Sequence, residues 1–139
     1  MVHALDELRR ILMPGGTLLD LRPLADSWPV EIVESDNHHQ TGHLTDLPTG
    51  LGDDQAANLA VEEAARCGWF KRGSNLTFPL YAYWDDPDEM IAYVTDRWTD
   101  FVRLDDDVQK TTQAAWAAAG ADKRLRLKLN MLLTSWQKQ

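Results

Sequence analysis

Leu5, Leu8, Ile11 and Leu12 recur at a spacing that lines one side of a helix, and Pro14 cannot continue it. Gly15 and Gly16 supply the backbone angles of a tight reversal. Thr17 to Leu21 follows as a nearly unbroken apolar run, the pattern of a strand covered on both faces. Residues 24 to 52 are the least regular. Trp28, Val30 and Ile32 alternate up to Glu34, Asp36-Asn37 is a turn signal, and Gln40 to Thr45 reads as the returning strand of a short hairpin. Leu47 to Gly52, with Pro48, Gly50 and Gly52, reads as a loop.

Asp53 or Asp54 then caps a helix reaching about Cys67, with Ala57, Val61, Ala64 and Ala65 as its narrow apolar stripe. Gly68 is placed to end it in the left-handed conformation. Leu76, Phe78, Leu80, Ala82 and Trp84 alternate with Thr77, Pro79, Tyr81 and Tyr83, a strand in which Pro79 removes one ladder donor and favours an edge or bulge. Asp86-Pro87-Asp88-Glu89 combines a capping aspartate, proline at the first helical position and a glutamate three residues after the cap. Met90, Ile91, Val94, Trp98 and Phe101 form the buried face of that helix. An alanine-rich helix runs from Asp105–Asp107 to Gly120. The last segment supports two readings. Leu125, Leu127, Leu129 and Met131 alternate as in a strand, whereas Leu125, Leu129, Leu132, Leu133 and Trp136 form a helical stripe.

The length of 139 residues fits a single domain (1–139) with a modest core, and 44% hydrophobic with 26% charged residues argues against wholesale disorder. A formal charge of -8 argues against general affinity for nucleic acid or an anionic membrane. Nine acids fall between Asp85 and Asp107, whereas every charged residue after Asp122 is basic, an asymmetry able to orient self-association. Cys67 is the only cysteine, which excludes an intrachain disulfide. No apolar run has the length needed to cross a bilayer, and no signal-peptide pattern precedes the first helix, so a cytoplasmic location is expected.

The opening order of amphipathic helix, Pro14-Gly15-Gly16 and Thr17-Leu18-Leu19-Asp20-Leu21-Arg22-Pro23 resembles the stretch around the fifth strand of class I S-adenosylmethionine-dependent methyltransferases. The helix ending in Cys67-Gly68-Trp69-Phe70 resembles the helix that comes after the fifth strand in that family. The stretch from Phe78 through Trp84-Asp85-Asp86-Pro87-Asp88-Glu89-Met90 to Val94 resembles its sixth strand and the helix inserted beyond it. The resemblance implies an α/β or α+β fold: a small mixed, mostly antiparallel sheet with packed helices, like the back half of a Rossmann-like methyltransferase. It makes Arg124 to Leu133 the seventh strand, folded back antiparallel between strands five and six. That family binds its cofactor through a glycine-rich turn after strand one, and this chain has no GxGxG-like run. No residue is therefore assigned to cofactor binding or catalysis. S-adenosylmethionine enters only if another chain complements this one. Without a fourth strand beside it, Thr17 to Leu21 becomes an open apolar edge. The expectation is a methyltransferase-like, non-catalytic module forming a homodimer through that edge or taking a complementing protein chain. A methyltransferase half completed by a separate cofactor-binding half is the alternative.

Three of the four histidines, His38, His39 and His43, lie close together. On a regular strand His39 and His43 point the same way, and Asp36 or Asp46 could join them around a metal ion. With no glutamate or cysteine at ligand spacing, solvated histidines at a hairpin are the stronger reading, and no metal site is assigned. Asp20 and Arg22 end the first strand, where open α/β sheets place their ligand crevice. Trp28, Trp69, Trp84, Trp98, Tyr81 and Tyr83 are enough large rings to line an apolar pocket or simply to fill a core. The candidate ligand pocket therefore comprises Asp20, Arg22, Trp28, His39, His43, Tyr81 and Tyr83, with a small apolar molecule as its ligand.

Overall fold

A computed structural model describes residues 2–35 and 37–139. The chain forms two compact units, one from Met1–Leu24, Gly52–Phe78 and Met131–Gln139, the other from Ala25–Leu51 and Pro79–Asn130. The expected mixed α/β architecture with a mostly antiparallel sheet is present.

In the first unit the amphipathic stripe folds as α1 (Val2–Ile11), with Leu5 buried and Leu8 and Leu12 packed beside it. Gly15 adopts φ 75°, and the Gly16 N–H donates to the Met13 carbonyl at 2.9 Å, closing the reversal into β1 (Thr17–Pro23). β1 pairs antiparallel with the second half of β7 (Arg124–Lys138), from Thr17 opposite Gln137 to Pro23 opposite Met131. Helix α2 (Pro48–Arg66) adds Ala60 and Ala64 to a core with Leu5, Phe70 and Trp136. Gly68 follows it at φ 72°, the left-handed position expected of it. Phe70 then opens β5 (Phe70–Trp84), which pairs with β7.

One expectation fails here. β1 is covered on one face only. Leu18 packs on the core, and Asp20 and Arg22 share its face, whereas Leu19 and Leu21 remain 62% and 57% exposed. The core residues of α1 and α2 pack with Leu18 and Trp136, leaving the leucines of the opposite face without such cover.

In the second unit β2 (Pro29–Glu34) and β3 (Asn37–His43) form the expected hairpin. The Asp36 part of its turn signal lies outside the described residues. β2 also pairs antiparallel with the first half of β7, from Val30 opposite Leu127 to Val33 opposite Arg124. The segment with two readings is thus a strand, and the buried Leu125, Leu127, Leu129 and Met131 are the alternating set. Strand pairing satisfies the backbone along fifteen residues, which outweighs the helical preference of leucine and arginine.

Asp86 caps α3 (Pro87–Arg97) by accepting from the Asp88 N–H at 2.7 Å, with Pro87 in the first turn. Met90 and Val94 are its buried residues besides Pro87. The alanine-rich helix is α4 (Asp106–Ala118). Two short strands, β4 (Thr45–Asp46) and β6 (Val102–Arg103), pair separately from the main sheet. The main sheet follows the order β1-β7-β2-β3, with β5 on β7.

The second correction concerns residues 47 to 52, which form the first turns of α2 rather than a loop. Pro48 suits a first helical position, because its missing N–H needs no partner there. The Leu51 N–H donates to the Leu47 carbonyl at 3.2 Å. Gly50 is required by proximity: a Cβ on it would sit 3.0 Å from the Phe101 carbonyl oxygen. The glycines that suggest a loop in sequence are packing glycines here.

Candidate functional site

The candidate residues fall in three places. Asp20 and Arg22 belong to the first unit. Arg22 donates to the Asp54 carbonyl at 3.2 Å and to Asn58 Oδ1 at 2.6 Å, which ties β1 to α2. Its Nε lies 3.5 Å from the Asp20 carboxylate. Both side chains are largely buried, so the pair anchors a strand end.

Trp28 and His39 lie on the helix-covered side of the second unit. Trp28 is buried, with its ring edge-on to Trp98 at 5.4 Å; Trp98 meets Tyr93 at 5.1 Å, and Tyr93 meets Trp84 at 5.6 Å. The ring series thus runs outward from the buried Trp28 to the exposed Tyr93, while Trp69 packs against the core of the other unit. His39 lies opposite Ile32 and lines a groove of about 290 Å³ with Ile32, Glu34, Ala115, Ala118 and Ala119. The floor of that groove is apolar. The Glu34 carboxylate at its end accepts the Gly120 N–H.

His43 does not share His39's face. The register of β2 with β3 shifts between Val30 and Glu31, so that Val30 faces Gly42 while Glu31 faces Gln40. Thr41 is the extra residue of this bulge, and its hydroxyl bonds Thr112 at 2.7 Å. One added residue reverses the alternation, which places His43 beside Gln40 at 3.1 Å on the opposite face from His39. Asp46 lies elsewhere, accepting the Ser27 N–H at 2.8 Å. Among the described residues, no group of three His, Cys, Asp or Glu side chains is arranged to hold a metal ion.

His43, Tyr81 and Tyr83 are the candidates that meet on one surface, the sheet face of the second unit away from the buried leucines of β7. Two rows cross it. Gln40, Glu31 and Arg126 are register partners, and Arg126 lies over the Tyr81 ring at 4.4 Å. His38, Val33 and Arg124 are likewise partners, and Arg124 lies over the Tyr83 ring at 5.0 Å while donating to Asp85 at 2.9 Å. Sequence reasoning finds the tyrosines but misses Glu31 and Arg126. Glu31 carries a signal, one charge inside the apolar run Val30 to Val33, whereas Arg126 is one of several polar positions alternating with the leucines of β7.

Glu31 is only 5% exposed and takes two contacts from Arg126, at 2.7 and 2.6 Å. Burial disfavours the Arg126 charge, but the Tyr83 and Glu31 oxygens outweigh that cost and hold its pKa above the ordinary value. This cation is therefore fixed and fully ionised, a structural clamp with ring faces beside it rather than a proton donor. The surface offers ring faces and the outer edge of two guanidinium groups. Cys67 is exposed near Glu63 in the first unit and takes no part in it.

Asp105 lies at the β4–β6 corner, bonded to Thr45 and Arg103. Hydrogen bonds from Arg103 and then Thr45 hold the Asp105 carboxyl below its ordinary value of 3.8. A lowered pKa contributes stability that is present above 3.8 and fades as pH falls through the native value. Asp105→Asn should therefore narrow the loss of urea resistance between neutral and strongly acidic pH relative to the native sequence. An unchanged difference between the two proteins across that range would exclude the contribution.

No family model matches the chain, and no curated protein or solved structure matches it. No described helix is long and apolar enough to cross a membrane.

Proposed function

We propose that this chain is a non-catalytic, methyltransferase-like module that works by association, joining a second protein surface through the open edge of β1. The observation that carries this reading is the state of β1. It pairs with β7 alone among the described strands, and Leu19 and Leu21 stand exposed on its outer face. An open edge with apolar side chains favours strand addition over solvent. The methyltransferase part draws support from β7, which pairs antiparallel with β1 and is hydrogen-bonded to β5, the two neighbours that the resemblance assigns to strand seven. The groove at Ile32, His39 and the α4 alanines suits a small apolar ligand. A cytoplasmic site of action agrees with a single exposed cysteine.

The same open edge favours a second reading, in which a separately encoded cofactor-binding half docks on β1 and restores transfer from S-adenosylmethionine. Calorimetric titration of the isolated chain with S-adenosylhomocysteine tests the proposal. The expected result is no saturable heat from a folded sample. Binding at roughly micromolar strength would overturn the non-catalytic reading.

A further inference from the structure

The β1 edge carries information about its own occupant. The Lys138 N–H donates to the Gly16 carbonyl at 2.8 Å, and the β1–β7 register continues unbroken from Thr17 to Pro23. Backbone direction alternates along a strand, so Leu18, Asp20 and Arg22 turn their N–H and C=O groups toward β7. Thr17, Leu19, Leu21 and Pro23 turn theirs toward the open edge. Pro23 fits this arrangement, since the N–H it lacks is one that β7 would not have used.

We infer that the occupant is a second copy of this chain, its β1 antiparallel to the first with Leu21 on the two-fold axis. This deepens the self-association proposed above and rests on it. The warrant is charge. Centred on Leu21, the two-fold sets each Asp20 directly opposite the second copy's Arg22 on the helix-covered face. Leu21 then meets Leu21, and Leu19 meets Pro23, on the exposed apolar face. Leu21 exchanges both backbone hydrogen bonds with its counterpart, and each Leu19 N–H reaches the other copy's Pro23 carbonyl.

Neighbouring arrangements lack this match. Centring on Asp20 opposes the two carboxylates, and a parallel in-register pairing opposes like with like at both positions. Centring on Leu19 leaves Asp20 across from Leu18. Opposite charges stabilise a cross-strand pair and like charges destabilise it, so the Leu21-centred register is the one the side chains select.

The test uses the full chain in a Cys67→Ser background, which removes its one native thiol. Hydrogen-bonded antiparallel partners have Cα atoms about 5.5 Å apart, within disulfide reach. Leu21→Cys should therefore form an interchain disulfide under mild oxidation. Leu19→Cys should not, because its copies would lie about 14 Å apart along the strands. Both positions are exposed, so neither change threatens the fold.

Asp20→Arg sets like charges opposite each other at both symmetric positions and should raise the dimer dissociation constant about tenfold in sedimentation equilibrium. Its folding is checked by circular dichroism. Cross-linking at position 19 rather than 21, or a dimer indifferent to Asp20→Arg, would overturn this register while leaving self-association through another surface. A chain that stays monomeric at every concentration would overturn both this inference and the self-association beneath it.

Discussion

Glu31→Ala will lower the unfolding free energy by about 3–5 kcal/mol, the cost of leaving a buried charge without its partner. Arg126 then keeps only the Tyr81 ring, at 4.4 Å, and its contact with Tyr83. A cation–π contact of about 0.5–2 kcal/mol cannot offset that loss. Replacing both partners by apolar residues of similar size, Glu31→Leu with Arg126→Met, should return stability to within about 1–2 kcal/mol of the native sequence. Urea titrations of the single and double variants decide the matter. A single variant costing no more than a surface pair, about 1 kcal/mol, would show that water reaches Arg126 and that the clamp is not buried in solution.

Trp28→Ala should cost a similar amount, about 3–5 kcal/mol, by a different route. The ring is 7% exposed and stands edge-on to Trp98, and its loss opens a cavity beside Trp98. The Trp28 backbone carbonyl still accepts from the Leu44 N–H at 2.9 Å, so strand geometry is retained while the void remains. Trp28→Phe should recover a large part of the stability. The near-ultraviolet circular dichroism signal of the Trp28–Trp98 pair should vanish in the alanine variant while the far-ultraviolet spectrum persists. A loss below about 1 kcal/mol would mean that neighbouring side chains collapse into the space.

The elements most visible in sequence are those whose own side chains decide them. The cap at Asp86-Pro87, the left-handed Gly68 and the alternation from Leu125 to Met131 each carry a local physical cause, and each forms as expected. The start of α2 is hidden because Pro48 and Gly50 read as loop residues, and the role of Gly50 is set by Phe101, which lies far along the chain. The first half of β5 was hidden because Lys71 to Asn75 have no alternation to read. Those residues are exposed, and the strand is held there by its pairing with β7.

The apolar run through Leu19 and Leu21 reads as a strand covered on both faces, but these two leucines mark a surface left bare. The candidate site was legible one residue at a time and not as a set. The bulge at Thr41 separates His39 from His43, and no local pattern announces a bulge. Glu31 and Arg126 carry opposite charges 95 positions apart, which only the strand register brings together.

The pairing of β7 with β1, β2 and β5 also sets a timetable for folding. Three earlier strands share a neighbour that leaves the ribosome after all of them. Until residues 124 to 138 emerge, the β2–β3 hairpin and the helices are what can form, and β1 waits without its ladder, its leucines exposed. Loop closure over more than a hundred residues then limits the final step, which places this chain among slow folders for its size. The interval before β7 docks is when β1 is most open to capture by another nascent copy or a chaperone.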